Sequence, residues 1–262
     1  MGHRSDLAVS VVVAVRLPAP FLSAAIESLT AQTLVPDEII VVAHGCGDEL
    51  RGSLSPFGGL IRVVDADASL SLAEVRTFGL LEARCEFVAV LDSDDVALRD
   101  RIAMQLQALR ASPKSVLCAS EVELIDESGS CRGQAFLRPA PGDVRQSLIL
   151  RNRIAHSSVM FRRQTAIDVG AYRDLPLAED YDLWLRLAAS GEFAYLDQAL
   201  SQYRVHAAQL TSRRAVPRSA WRALRESRLA LSRSLGRSEG RTLLEHYLWC
   251  ASQMRRWNRA VR

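Results

Sequence analysis

EFVAVLDSDDVAL, residues 86–98, joins a strand-forming apolar run to three crowded carboxylates, Asp92, Asp94 and Asp95. An apolar run without polar alternation suits a strand buried on both faces, as in parallel sheets covered by helices. The same pattern recurs on the N-terminal side. SVVVAV (10–15), EIIVVA (38–43) and LIRVVDA (60–66) read as strands, and segments 21–32, 71–83 and 99–112 as helices. This alternation predicts βαβ units and an α/β fold around a mainly parallel central sheet. Ligands of such sheets sit at the carboxyl ends of the strands. Both the DSDD cluster and the HGCGDE loop (44–49) fall there.

Beyond residue 113 the pattern becomes hairpin-like. SVLCASEVELID (115–126) and QAFLR (134–138) read as strands around a GSCRG turn, and DVRQSLILR (143–151) as a helix. SSVMFR (157–162) follows as a strand, AEDYDLWLRLAAS (178–190) as a helix, and FAYLD (193–197) and SQYRVH (201–206) as two short strands. Pro217 then opens a tail of two amphipathic helices in a hairpin. Ala220, Leu224, Leu231 and Leu235 share one face of the first helix, and Leu243, Tyr247, Met254, Trp257 and Val261 one face of the second.

The bulk numbers narrow the function classes. The chain has 262 residues and a net charge of +3, with a basic segment at its end. Residues 213–262 hold 13 arginines against Glu226, Glu239 and Glu245, so this tail carries +10 and the preceding body −7. The division expected from this is a body, 1–212, whose pattern changes near 113, and a tail, 213–262. The five cysteines are scattered without a CxxC pair, which argues against a disulfide framework or a zinc site and for a reducing cytoplasm. No run reaches the roughly 18–20 apolar residues of a membrane span. The opening LAVSVVVAV has the length and β-branched composition of a first strand, not of a signal peptide. The tail lacks a nucleic-acid motif; its apolar stripe can pack on the body or a second subunit, or lie peripherally on anionic lipid.

Two readings stand for DSDD. Its aspartates can cap the following helix, or they can bind a divalent ion such as Mg²⁺, which takes one or two carboxylates and completes its shell with water and phosphate. Glu179, Asp180 and Asp182 crowd the start of a helix, where the dipole favours acids. Leu183, Trp184 and Leu187 would bury that helix and hold an acid at the rim of a cleft. His156 and His206 stand near these motifs, though a lone histidine is more often structural than a ligand.

The order of these parts resembles the family 2 glycosyltransferases, which have the GT-A fold. The resemblance covers residues 8–212 and implies a nucleotide-binding half of about 8–113 and an acceptor half of about 114–212. It is carried by GAYRDLPLAEDYDLWLRLAASGEFAYLDQALSQYRVH (170–206), DSDDVALRDRIAMQLQAL (92–109) and LTAQTLVPDEIIVV (29–42). It implies an inverting, metal-dependent transfer from a nucleotide-diphosphate sugar to a glycan or lipid-linked acceptor. Asp92, Ser93 and Asp94 correspond to the family's DXD motif. Asp94 would hold Mg²⁺ or Mn²⁺, Asp92 would lie near the donor ribose and metal, and Asp95 would support them. Asp180, beside Glu179, would be the general base. Arg76 would face the donor, and His206 the metal or diphosphate.

Three departures fall near the donor. Val13-Ala14-Val15-Arg16-Leu17 replaces the family's usual Pro, Tyr and Asn after the first strand. Ala43, His44, Gly45 and Cys46 replace two aspartates and Gly-Ser after the second, and Thr77 replaces an Asn. The first two alter the nucleotide-base pocket, where Ala14, Val15 and His44 would stand. A catalytically silent GT-A module is the alternative these changes leave open.

Overall fold

The computed structural model describes residues 8–134, 143–207, 209 and 215–260, the side chains of 134 and 257–260 excepted. The first half comprises β1 (Val9–Val15), α1 (Leu22–Thr30), β2 (Glu38–His44), α2 (Gly47–Leu54), β3 (Ile61–Ala66), α3 (Leu72–Glu82) and β4 (Phe87–Val90). Then come β5 (Val96–Ala97), α4 (Arg101–Ala111), β6 (Ser115–Ile125), β7 (Cys131–Gln134) and α5 (Val144–Leu148). β8 (Val159–Arg162), α6 (Arg163–Asp168), α7 (Glu179–Ser190) and β9 (Glu192–Arg204) complete the body, and α8 (Arg218–Ser234) and α9 (Glu239–Ala260) end the chain.

Among the described residues the strands form one mixed sheet, ordered β3-β2-β1-β4-β8-β6-β9-β5, with β7 beside β6. β3, β2, β1 and β4 run parallel, and β8 enters antiparallel to β4. The double-faced burial predicted from EFVAVL holds for β1, β2 and β4, whereas the edge strand β3 is mostly half-buried, with Asp65 exposed. Val11 and Val13 of β1, Ile39 and Val41 of β2, and Phe87 of β4 face one core with Ile26 of α1 and Ile102 of α4. Val12, Ile40, Val42, Val88 and Val90 face the other, under α3 and Leu183, Trp184 and Leu187 of α7.

α3 begins with a reciprocal cap: the Glu74 N–H donates to Ser71 Oγ (3.3 Å), and the Ser71 N–H donates to Glu74 Oε2 (2.7 Å). Two turns later Gly79 lets the helix press on the sheet. A Cβ there would lie 2.6 Å from Val12 Cγ1 and 2.7 Å from Val42 Cγ2. Gly79→Val should therefore lower stability by about 1–3 kcal/mol through overpacking. An unchanged urea midpoint would show that α3 can lift away freely.

Four expectations need correction. The loop after β2 contains a helix, α2, which begins at Gly47 inside HGCGDE. FAYLD and SQYRVH belong to one strand, β9. Register shifts against β6 at Ser120, Glu121 and Val122 interrupt the alternation that marks a continuous strand. The helix read over 143–151 is a single short one, Val144–Leu148. On α9 the buried side holds Thr242, His246, Cys250 and Gln253, whereas Tyr247 and Met254 are exposed. A buried charge decides that rotation. Arg228 of α8 is fully buried and donates to Tyr181 Oη (3.1 Å) and His246 Nδ1 (2.8 Å), so α9 must turn an acceptor inward. Burial and Arg228 push the His246 imidazole down to about 4, which keeps it neutral and able to accept. The QAFLR strand beyond 134 and the side chains of Trp257 and Val261 lie outside the described residues.

On α8 the expected face is inward. Ala220, Leu224 and Leu231 are fully buried and join the core that contains α7. Among the described residues no helix is long and apolar enough to cross a membrane.

Candidate active site

β4 ends at Val90 and the chain turns at once, with the Asp95 N–H donating to Asp92 O (3.1 Å). Arg101 braces the turn from below: its fully buried guanidinium donates to the carbonyls of Val90 (2.8 Å) and Val159 (3.0 Å). Because β8 runs antiparallel to β4, the short 3₁₀ turn His156–Ser158 before it stands beside the acids. The Asp92 N–H donates to Ser157 Oγ (2.9 Å), and Ser201 Oγ of β9 donates to Ser157 O (2.7 Å).

Around Asp92 the structure assembles a charged group from four segments. Arg76 Nη2 donates to Asp92 Oδ1 (2.8 Å) and Arg76 Nη1 to Glu179 Oε1 (2.5 Å). His156 Nδ1 lies 3.0 Å from Asp92 Oδ1, and its Nε2 lies 3.1 Å from Tyr172 Oη. Burial works to raise the Asp92 carboxyl. His156 and Arg76 outweigh it and hold the group well below the usual carboxylate range. For Arg76 burial acts downward, but Asp92 and Glu179 overcome it and raise the guanidinium further. Asp92 is thus ionised but already partnered.

Asp94 faces differently. Its Oδ2 lies 2.8 Å from His206 Nε2, just beyond the end of β9. Arg204 locks this arrangement, donating from Nε to Asp94 O (2.8 Å) and from its backbone N–H to Asp95 Oδ1 (2.8 Å). Phe21 lies under both, 4.4 Å from the Arg204 guanidinium and 5.3 Å between rings from His206. Burial and then Asp92 raise Asp94 against its hydrogen bond to His206. Asp95 is buried and raised well above the ordinary range by burial and its two neighbours, and its Oδ2 has no hydrogen-bond partner. Asp94 and Asp95 are thus both raised, by burial first and then by their acidic neighbours.

Asp180 stands in the first turn of α7. Its Oδ1 accepts the Tyr181 N–H (2.6 Å), and its Oδ2 accepts Asn152 Nδ2 (3.2 Å). Burial, followed by the charge of Glu179, pushes this carboxyl up to about 6, against the pull of His156 and Arg76. A carboxylate near that value is a serviceable base at neutral pH.

The remaining expected residues are more peripheral. Ala14 borders a small cavity with Arg76, His156 and Tyr172. Val15 is buried in the core, so it can meet a ligand only through its main chain. His44 Nε2 lies 3.2 Å from Ala68 O, and Ser93 is half-buried within the acidic turn. His156 was visible in the sequence only as a lone histidine, and Ser157, Asn152 and Arg204 gave no sign at all. The available signal was HSS immediately before an apolar strand, the place that closes onto the end of β4. Among the described residues no group of three or more His, Cys, Asp or Glu side chains converges as a ready cage.

Comparison with known proteins bears on the family and the fold. Residues 10–168 match the model of "Glycosyl transferase family 2". The amylovoran biosynthesis glycosyltransferase AmsE of Erwinia amylovora is 30% identical over 197 residues, covering 74% of each chain. A UDP-Gal:alpha-D-GlcNAc-diphosphoundecaprenol beta-1,3-galactosyltransferase of Escherichia coli is 26% identical over 174 residues, 65% of this chain and 63% of the other. The crystal structure of S. aureus TarS 1-349 in complex with UDP-GlcNAc superposes with a TM-score of 0.69 over 93% of this chain and 71% of that one, at 14% identity. That likeness shows a shared GT-A fold. With more than half of the chain matched by the family model, the protein belongs to glycosyl transferase family 2 and is a glycosyltransferase.

Proposed function

We propose that the protein transfers a sugar, with inversion, from a nucleoside-diphosphate sugar to an acceptor hydroxyl during assembly of a surface polysaccharide. One observation carries this reading. Arg76 bonds both Asp92 in the acidic turn after β4 and Glu179 at the start of α7, which supports reading the Asp94–His206 pair and Asp180 as parts of one site. The names of the Erwinia amylovora and Escherichia coli relatives support the polysaccharide setting and a lipid-linked acceptor.

Asp94 and His206 fit a divalent ion that takes few protein ligands, with water and diphosphate oxygens completing the shell. The raised Asp94 and the unpartnered Asp95 Oδ2 are what a cation would relieve. Such an ion, Mg²⁺ or Mn²⁺, supplies charge neutralisation for the departing diphosphate. The chain's own residues do the rest. Arg76 and His156 keep Asp92 ionised and fixed. Asn152 holds Asp180 by a hydrogen bond to its Oδ2, and Asp180 takes the acceptor's proton as that oxygen bonds to the anomeric carbon and the carbon–diphosphate bond breaks. No protein nucleophile is needed for one inverting displacement.

A second reading, a silent binding module, is favoured by Ala43, which is fully buried and offers no carboxylate to a nucleotide base. Calorimetry with a panel of nucleoside diphosphates, with and without Mn²⁺, tests the enzyme reading. At least one should bind more tightly with the metal, and Asp94→Ala should remove that gain by about tenfold or more, equal to about 1.4 kcal/mol. The absence of metal-dependent binding across the whole panel would sink it.

A further inference from the structure

Asp180 also opens onto a second space. A cleft of about 660 Å³ lies between the segment around Asn152, the start of α7, and α9. Asn152, Asp180 and Tyr181 line its inner side, and Leu248, Trp249 and Arg256 of α9 line the opposite side. The tail thus forms part of the space that the candidate base faces.

Two chemical features describe the occupant. The first is charge. Glu245, an acid on the α9 side, is taken by Arg237 and Arg241, both at 3.1 Å. Arg151 and Arg256 line the cleft, are exposed, and have no carboxylate partner among the described residues. The second is apolar surface. Leu150 and Leu248, 46% and 62% exposed, stand on the same cleft. A neutral sugar would need neither two unneutralised guanidiniums nor exposed leucines beside the base. A sugar carried on a lipid diphosphate needs both: guanidiniums for the phosphates and apolar side chains for the first units of the lipid.

We propose that this cleft is the acceptor subsite, that Arg151 and Arg256 hold the diphosphate of a lipid-diphosphate-linked acceptor, and that Leu150 and Leu248 receive the start of its chain. This rests on Asp180 being the group beside the acceptor hydroxyl. It makes α9 a determinant of acceptor choice and part of the catalytic site.

Geranyl diphosphate serves as the probe, with inorganic pyrophosphate and geraniol as its separate halves. Each is titrated calorimetrically into the full chain in EDTA, so that diphosphate binding at the metal-dependent donor end is silent. Geranyl diphosphate should bind at least tenfold more tightly than either half. The double variant Arg151→Ala/Arg256→Ala should lose that affinity at least tenfold while Mn²⁺-dependent nucleotide binding stays within twofold. Leu248→Ser should weaken geranyl diphosphate but not pyrophosphate. Equal binding of geranyl diphosphate by the wild type and the double variant, or no binding by the wild type, would overturn the proposal. Pyrophosphate binding as tightly as geranyl diphosphate would overturn its lipid part, assigning the cleft to free diphosphate. Loss of nucleotide binding across the metal panel, with geranyl diphosphate still bound through the two arginines, would count against the donor reading and support the cleft.

Discussion

Asp180→Asn should reduce sugar transfer by about 10²–10⁴-fold while leaving donor affinity within about twofold. The amide keeps the side chain's shape, and its single oxygen can still accept either the Tyr181 N–H or the Asn152 amide, but it cannot take a proton. Donor affinity is spared because the Asp94–His206 end of the site has no direct bond to Asp180. The wild-type rate should carry the same signature in its pH dependence. A carboxyl raised to about 6 is the working base only above that value, so turnover should fall roughly tenfold per unit below pH 6. Burial is the main cause of the rise and the charge of Glu179 the second. Glu179→Gln removes the second cause, and its acidic limb should move to lower pH. Survival of normal turnover in Asp180→Asn, or an unshifted limb in Glu179→Gln, would take the base role from Asp180.

Arg76→Met should be the most destabilising single change at the site. The guanidinium is about 10% exposed and holds two carboxylates, Asp92 and Glu179, which are 27% and 9% exposed. Its removal leaves both acids in a partly dry pocket with only His156 to offset them. Breaking one side of a buried ion pair costs about 3–5 kcal/mol. For a chain of this size that corresponds to a melting temperature lower by roughly 6–20 °C. Adding Glu179→Gln to Arg76→Met should restore part of the loss, because it removes one of the orphaned charges. A thermal scan in which the single variant melts within 2 °C of wild type would show that water already solvates the two acids.

Much of this architecture was legible because parallel strands buried on both faces leave an unambiguous apolar signature. SVVVAV, EIIVVA and EFVAVL needed only their composition to be read. The acidic turn was legible for the same reason, since three aspartates directly after such a strand have few other places to be. β9 was harder: its bulges against β6 break the alternation that reveals one strand. α9 misled because burial there follows a hydrogen-bond requirement. The buried Arg228 calls for His246, and no hydropathy pattern registers that need. His156 was invisible as a ligand of Asp92 because its role comes from the pairing of β8 with β4, which the local sequence does not encode.

Several of the bonds around the acidic turn span long stretches of chain. Arg76 and Glu179 are 103 positions apart, Arg204 and Asp95 109, and His206 and Asp94 112. Closing such distant contacts is slow and comes after local structure has formed. During synthesis the parallel strands can pair while the turn after β4 still stands without its histidine and arginine counterparts. A chain ending before β9 would lack the residues that hold Asp94 and Asp95 in the acidic turn. The acidic turn is completed only by residues 204–206, at and just beyond the end of β9.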